Sequence, residues 1–143
     1  LPYIDMPLQH ASDRMLSAMR RNTTRKQTEA LLEKLRRRVP GMTIRTTFIS
    51  GFPGETEQDH KELLDFVREQ NFEALGVFEY SHEPGTVAGT MEQDPKLAVS
   101  AADKARRRGE VMALQQELAF ARQRKIAEEF DEKRPGTTGR RVD

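Results

Sequence analysis

Residues 42–59 read MTIRTTFISGFPGETEQD. Met42 to Ile49 is rich in β-branched and aromatic side chains, which suit a pleated strand. Ser50-Gly51-Phe52-Pro53-Gly54 follows as a loop, because two glycines and a proline end any regular element. Thr56-Glu57-Gln58-Asp59 has the form of a capping box, with Asp59 in place of the usual Glu or Gln. The helix it opens runs to about Gln70 and offers Leu63, Leu64 and Val67 for burial. Strand, Gly-rich turn and capped helix make one βα unit.

Similar units lie on both sides. Tyr3 to Leu8 (YIDMPL) reads as a short strand broken by Pro7. Ser12 caps a helix to about Arg21, with Met15, Leu16 and Met19 as its apolar face. Asn22-Thr23-Thr24 interrupts it, and Thr24 caps a second helix to about Arg38 in which Leu31, Leu32 and Leu35 recur at helical spacing. Arg36, Arg37 and Arg38 suit the negative end of that helix, and Pro40-Gly41 stops it. Ala74 to Phe78 (ALGVF) is a third strand, with a long loop from Tyr80 to Val99 after it. Ser100-Ala101-Ala102-Asp103 opens a long helix to about Phe130, with Val111, Leu114, Leu118 and Ala121 as a stripe. Gly109 weakens that helix by about 1 kcal/mol relative to Ala. Alternation of this kind predicts an α/β fold with a parallel sheet and right-handed crossovers. Three strands are few for a sheet that needs both faces covered, so the chain reads as part of a larger α/β sheet or barrel.

Composition narrows the function. Lys and Arg number 24 against 23 Asp and Glu, so bulk charge does not direct the chain to nucleic acid. No apolar run reaches the roughly 18 residues of a membrane span, and no membrane partner is expected. Cysteine is absent, which excludes disulfides, a thiolate zinc site, a cysteine nucleophile and iron–sulfur ligation by this chain itself. Without a signal-peptide pattern, a cytoplasmic location is expected. The first residue is Leu1 rather than Met, which suggests a piece of a longer protein.

In α/β sheets and barrels, ligands gather at the carboxyl ends of the strands. That rule selects Gln9 and His10 after the first strand, the Gly51–Thr56 loop after the second, and Tyr80, Ser81, His82 and Glu83 after the third. His10 suits a proton carrier, a ligand contact, a metal ligand, or simply a histidine hydrogen-bonded at a strand end. Gln9 can fix a ligand or close a turn. Gly51 and Gly54 permit close backbone approach, and the helix start at Thr56 offers N–H groups to an anion. No Lys-Ser or Lys-Thr pair follows, so this is not a P-loop, and Glu55 and Glu57 disfavour phosphate. Arg45 inside a strand is costly unless paired or facing a cavity; Thr47 shares its face and Thr46 takes the other. Arg106-Arg107-Arg108 and Arg140-Arg141 suit either RNA or a solvated helix face beside Asp103 and Glu110.

The ordered set PYIDMPLQHASDRML (2–16), RTTFISGFPGETEQD (45–59) and GVFEYSHEPGT (76–86) resembles the methylthiotransferase branch of the radical S-adenosylmethionine enzymes, over about residues 2–130. Gln9-His10-Ala11-Ser12, Arg45-Thr46-Thr47-Phe48 and Tyr80-Ser81-His82-Glu83 are similar to the type that modifies a ribosomal-protein aspartate. Transfer-RNA-modifying relatives tend to read QSGS at the first motif and to lack the third histidine. The resemblance implies an α/β partial (β/α) barrel with parallel strands and a long C-terminal helix. Residues 1–130 would be the C-terminal half of the radical SAM barrel, and 131–143 a linker into a missing C-terminal β-domain.

It further implies S-adenosylmethionine as cofactor and [4Fe–4S] clusters held by cysteines that this segment lacks. The substrate would be a ribosomal protein of the small subunit, or transfer RNA in the alternative; the electron donor is not specified. The reaction would cleave S-adenosylmethionine reductively, abstract hydrogen from the aspartate β-carbon and install a methylthio group. The cofactor-binding residues implied are Gln9, His10, Arg45, Thr47, Gly51, Tyr80 and Ser81, with Gly51 giving room to the adenosyl group. No catalytic residue or metal ligand is expected within the segment, and by itself it would be inactive. A non-catalytic anion- or nucleotide-binding α/β module, and a helical interaction domain around residues 100–130, are the competing readings.

Overall fold

The computed structural model describes residues 2–83 and 85–132. In chain order the elements are β1 (Tyr3–Gln9), α1 (Asp13–Ala18), α2 (Arg25–Arg38), β2 (Thr43–Ser50), α3 (Glu57–Gln70), β3 (Ala74–Glu79), α4 (Val87–Glu92) and α5 (Ala101–Glu132). The three strands form one parallel sheet in the order β1-β2-β3, with Thr46 opposite Met6 on one side and Leu75 on the other. The alternation expected from the sequence is therefore present. The linker expected over 131–143 lies outside the described residues, apart from Asp131 and Glu132 at the end of α5.

Local chemistry explains most boundaries. Thr24 and Gln27 close a reciprocal capping box on α2, and Thr56 and Asp59 close one on α3. α1 stops at Ala18 rather than near Arg21. The Arg20 N–H donates to the Ser17 carbonyl and the Arg21 N–H to that of Leu16, while Arg20 takes φ 58°. This is a Schellman ending with an arginine where glycine usually stands, so the stop carries no glycine signal. The expected loop from Tyr80 to Val99 contains the short helix α4, capped by the Thr86 hydroxyl accepting from the Gly89 N–H at 2.9 Å. Six residues are too few to display a helical period.

The sheet has two unlike faces. Along β2, Ile44, Thr46, Phe48 and Ser50 are buried, while Arg45 is exposed and Thr47 and Ile49 are half-buried. The buried face carries the core, in which Phe48 meets Phe66 and Phe72 edge-on at 6.3 and 6.1 Å. Leu32 from α2, Leu63 and Val67 from α3, and Val111 and Leu114 from α5 complete it. Leu64 is only partly buried; Phe66 goes deeper. The α5 stripe ends at Leu118, and Ala121 is exposed. The opposite face is open, with Tyr3 and Phe78 58% and 61% exposed. Helices cover one side, which is the arrangement of a barrel wall with its inner surface bare.

Phe48→Ala is expected to cost about 3–5 kcal/mol, read by denaturant unfolding, because it opens a cavity in the core and the Phe66 and Phe72 rings lose their common packing partner. Gly109 lies within α5 and has nothing within 4 Å of an added Cβ. Gly109→Ala should stabilise the fold by about 1 kcal/mol in the same measurement.

Candidate functional site

The three strands are parallel, so their carboxyl ends share one edge of the sheet. There Gln9, Thr47, Phe52, Tyr80 and Ser81 border a cavity of about 470 Å³ on the open face. Ile49 and Phe78 give it an apolar floor, and Glu79 and Glu83 add carboxylates. The size suits a small-molecule pocket. The Tyr80 ring packs on Phe52, with centroids 5.4 Å apart. Lys104 of α5 holds the same residue from outside, its Nζ donating to the Tyr80 carbonyl at 3.3 Å and to Glu92 Oε2 at 3.0 Å. The Tyr80 hydroxyl is buried and has no hydrogen-bond partner. An unpartnered buried hydroxyl is costly.

Four of the seven residues expected at the site thus meet in one cavity: Gln9, Thr47, Tyr80 and Ser81. Arg45 lies on the same open face but lower in the strand, half-exposed, 3.8 Å from Asp5. Gly51 does not leave the room expected. It adopts φ +83°, and an added Cβ would lie 2.2 Å from Lys104 Cγ, so the space beside it is filled by the lysine stem. His10 is buried on the helix-covered side. Its Nδ1 accepts the N–H groups of Ala11 and Ser12 at 2.9 and 3.0 Å. The proton is therefore on Nε2, which donates to Glu55 Oε2 at 2.8 Å. Among the described residues no cluster of His, Asp or Glu is placed to hold a metal ion.

Behind the cavity lies a buried ionic network whose pairings are not visible in the sequence. Glu55 Oε1 accepts from the Gly51 N–H at 2.9 Å and from Arg107 Nη1 at 2.8 Å. Arg107 also reaches the Glu55 carbonyl at 3.0 Å and Glu57 at 3.1 Å. Arg106 pairs with Glu57 and Glu110, and Arg108 donates to the Val77 carbonyl at 3.1 Å. The arginine run is thus spent on intramolecular ties. A signal for Arg107 exists: it stands one turn before Val111 and extends the buried stripe. Asp59 accepts from Ser12 Oγ at 2.6 Å, from Arg14 at 2.9 Å and from the Thr56 N–H at 2.9 Å. The start of α3 is therefore occupied by the chain's own carboxylates, which disfavours the anion-binding module.

Burial pushes the Glu55 carboxyl up, but hydrogen bonds from His10, Arg107 and the Gly51 N–H outweigh it and bring it below its ordinary 4.5. Burial likewise raises Asp59, while Arg14, Ser12 and Thr56 hold it well below its ordinary 3.8. Groups depressed in the folded state contribute stability that is complete above the unfolded values and is lost as pH falls through the folded ones. Stability should therefore be flat near neutrality and fall below about pH 4.5, followed by denaturant titration at several pH values. Glu55→Ala should cost about 3–5 kcal/mol at neutral pH, because it breaks a buried ion pair and leaves the Arg107 guanidinium with only the half-exposed Glu57, and should flatten the acid limb.

The model of the radical SAM superfamily matches residues 1–67. The chain is 51% identical over 123 residues to the ribosomal protein uS12 methylthiotransferase RimO of Anaeromyxobacter sp. (strain Fw109-5), covering 85% of this chain and 25% of that protein. Its identity to the protein of the same name from Christiangramia forsetii is 46% over 130 residues, or 90% of this chain and 28% of that one. For the Porphyromonas gingivalis (strain ATCC BAA-308 / W83) protein it is 49%, over 83% of this chain and 27% of that one. The chain thus spans about a quarter of the length of these relatives. Coproporphyrinogen III oxidase (HemN) from Escherichia coli, described as a radical SAM enzyme, has the same fold over 82% of this chain and 27% of its own, with a TM-score of 0.68 at 24% identity. Family model and relatives agree with the three motifs, and the chain is similar to the methylthiotransferase branch of the radical SAM superfamily.

Proposed function

We propose that this chain is the cofactor-facing wall of an enzyme that adds a methylthio group to the β-carbon of an aspartate in a small-subunit ribosomal protein, in the cytoplasm. The observation that carries the reading is the meeting of three strand ends on one cavity with an unpartnered buried hydroxyl, in a chain about half identical to uS12 methylthiotransferases. The names of these relatives favour the ribosomal-protein substrate over transfer RNA. No helix among the described residues is long and apolar enough to cross a membrane. Residues 1–130 would form the later half of the barrel, with the segment after them leading to a further domain.

The cavity suits S-adenosylmethionine. Phe52, Phe78 and Tyr80 offer flat apolar surface to an adenine, and Glu79 and Glu83 offer negative charge to a sulfonium or ammonium group. When bound, the cofactor supplies the radical chemistry and a methyl group. The residues here bind and orient. Gln9, Ser81 and the Tyr80 hydroxyl donate or accept hydrogen bonds, Thr47 contacts the ligand from the strand, and Arg45 on the same face attracts its carboxylate. His10 and Gly51 act from behind, His10 through Glu55 and Gly51 by shaping the loop. The iron–sulfur clusters do not fit this segment, which has no cysteine to ligate them.

The full-length protein, reconstituted anaerobically, should give uS12 the mass of one added methylthio group, read by peptide mass spectrometry. Modification of transfer RNA with uS12 untouched would overturn the substrate assignment. Tyr80→Phe should weaken S-adenosylmethionine binding about tenfold, the value of one hydrogen bond to a buried hydroxyl; unchanged affinity would remove Tyr80 from the site.

A further inference from the structure

Gln9 stands in an unusual backbone. Its φ is 73°, and the His10 N–H donates to the Leu8 carbonyl at 2.9 Å. A hydrogen bond from residue i+2 to residue i around a positive φ is a γ-turn of the rarer, strained kind. A long side chain there is disfavoured, since only glycine enters that region without a Cβ penalty. Strain of this sort persists only where the surroundings over-determine it.

The surroundings do so here. On one side, the Leu8 N–H donates to Thr46 Oγ1 at 3.3 Å and the Leu8 side chain is buried. On the other, the His10 ring is fixed at both nitrogens: Nδ1 by two backbone N–H groups, Nε2 by Glu55. Glu55 in turn is fixed by Gly51 and Arg107. With both neighbours pinned to the buried side, Gln9 is driven to the open face, where it borders the cavity.

We infer that the buried Arg107–Glu55–His10 chain is a positioning device that holds Gln9 in a strained γ-turn and presents its carboxamide to the ligand in the cavity. Gln9 touches the ligand; Glu55, Arg107 and His10 act through it. The inference rests on the reading of the cavity as the S-adenosylmethionine site. A glutamine cannot replace Glu55. Donors face both of its oxygens, and an amide accepts at only one end.

The test uses the full-length protein with its clusters and measures thermal unfolding and S-adenosylmethionine binding by equilibrium dialysis. In an ordinary strand alanine outlasts glycine; at a strained positive φ the order reverses. Gln9→Gly is expected to melt above Gln9→Ala, and both should bind S-adenosylmethionine at least tenfold more weakly. Glu55→Gln is expected to weaken binding comparably, yet to add nothing in the Gln9→Ala background, because it acts through Gln9. Arg107→Lys, which keeps the charge and loses the fork, serves the same cycle should Glu55→Gln fold poorly. A Gln9→Ala protein that melts at or above Gln9→Gly overturns the strained turn. An undiminished effect of Glu55→Gln or Arg107→Lys in the Gln9→Ala background overturns the positioning while leaving the cavity reading intact. Unchanged affinity in Gln9→Ala, with Gln9→Gly still melting higher, overturns the cavity reading and with it the role given to Gln9.

Discussion

The buried carboxylate of Glu55 is the constraint on which the carboxyl edge of the sheet depends. It joins the end of β1 through His10, the turn after β2 through Gly51, and the first half of α5 through Arg107. These groups come from three distant stretches of chain, and each is held by a single residue's two oxygens. Desolvating such a charge is expensive, and the cost is offset only because every lone pair that matters is met by a donor. Removing Arg107 would leave the carboxylate without a permanent cation in the interior, so the ion pair at the centre of the arrangement is close to all-or-none. It fixes geometry more than it adds net stability.

The network and the cavity occupy opposite sides of the same sheet edge. Period-two alternation in the strands makes this possible. Leu8 and His10 point toward the helices while Gln9 points away; Thr46 and Phe48 are buried while Thr47 and Ile49 line the open face. The rigid side therefore sets the position of residues on the ligand side without entering the cavity. Lys104 does the same for the third strand, filling the space beside Gly51 and holding the backbone of Tyr80. α5 thus acts as a strap along the outside of the site. Beyond Leu118, Arg122 still ties it to the Asn71 and Phe72 carbonyls, and Phe120, Ile126 and Phe130 are exposed.

Much of the fold was legible because it follows from interactions a few residues apart. The boxes at Thr24 and Thr56 close over three residues, and β2 announces itself by its own composition. The rule that ligands gather at strand ends then selected Gln9, Tyr80 and Ser81, since strand ends are visible once strands are, while Thr47 followed from period-two alternation with Arg45 and the family resemblance. The end of α1 was not legible, because Arg20 adopts the conformation usually left to glycine. α4 was too short to show a period.

The sequence by itself determined the alternating elements, their parallel order and the family resemblance, because local propensity and long motifs are written in contiguous residues. Which side of each strand end would be occupied by protein was decided only in three dimensions. His10 and Gln9 are neighbours in sequence, yet one is locked into the interior and the other borders the cavity. Gly51 looked like room for a ligand and is instead filled by Lys104. The cause in each case is a partner far along the chain: Glu55 stands 45 residues from His10, and Arg107 stands 52 from Glu55. Pairings at that separation have no local signature, and the cost of burying a charge is settled only where the donors converge.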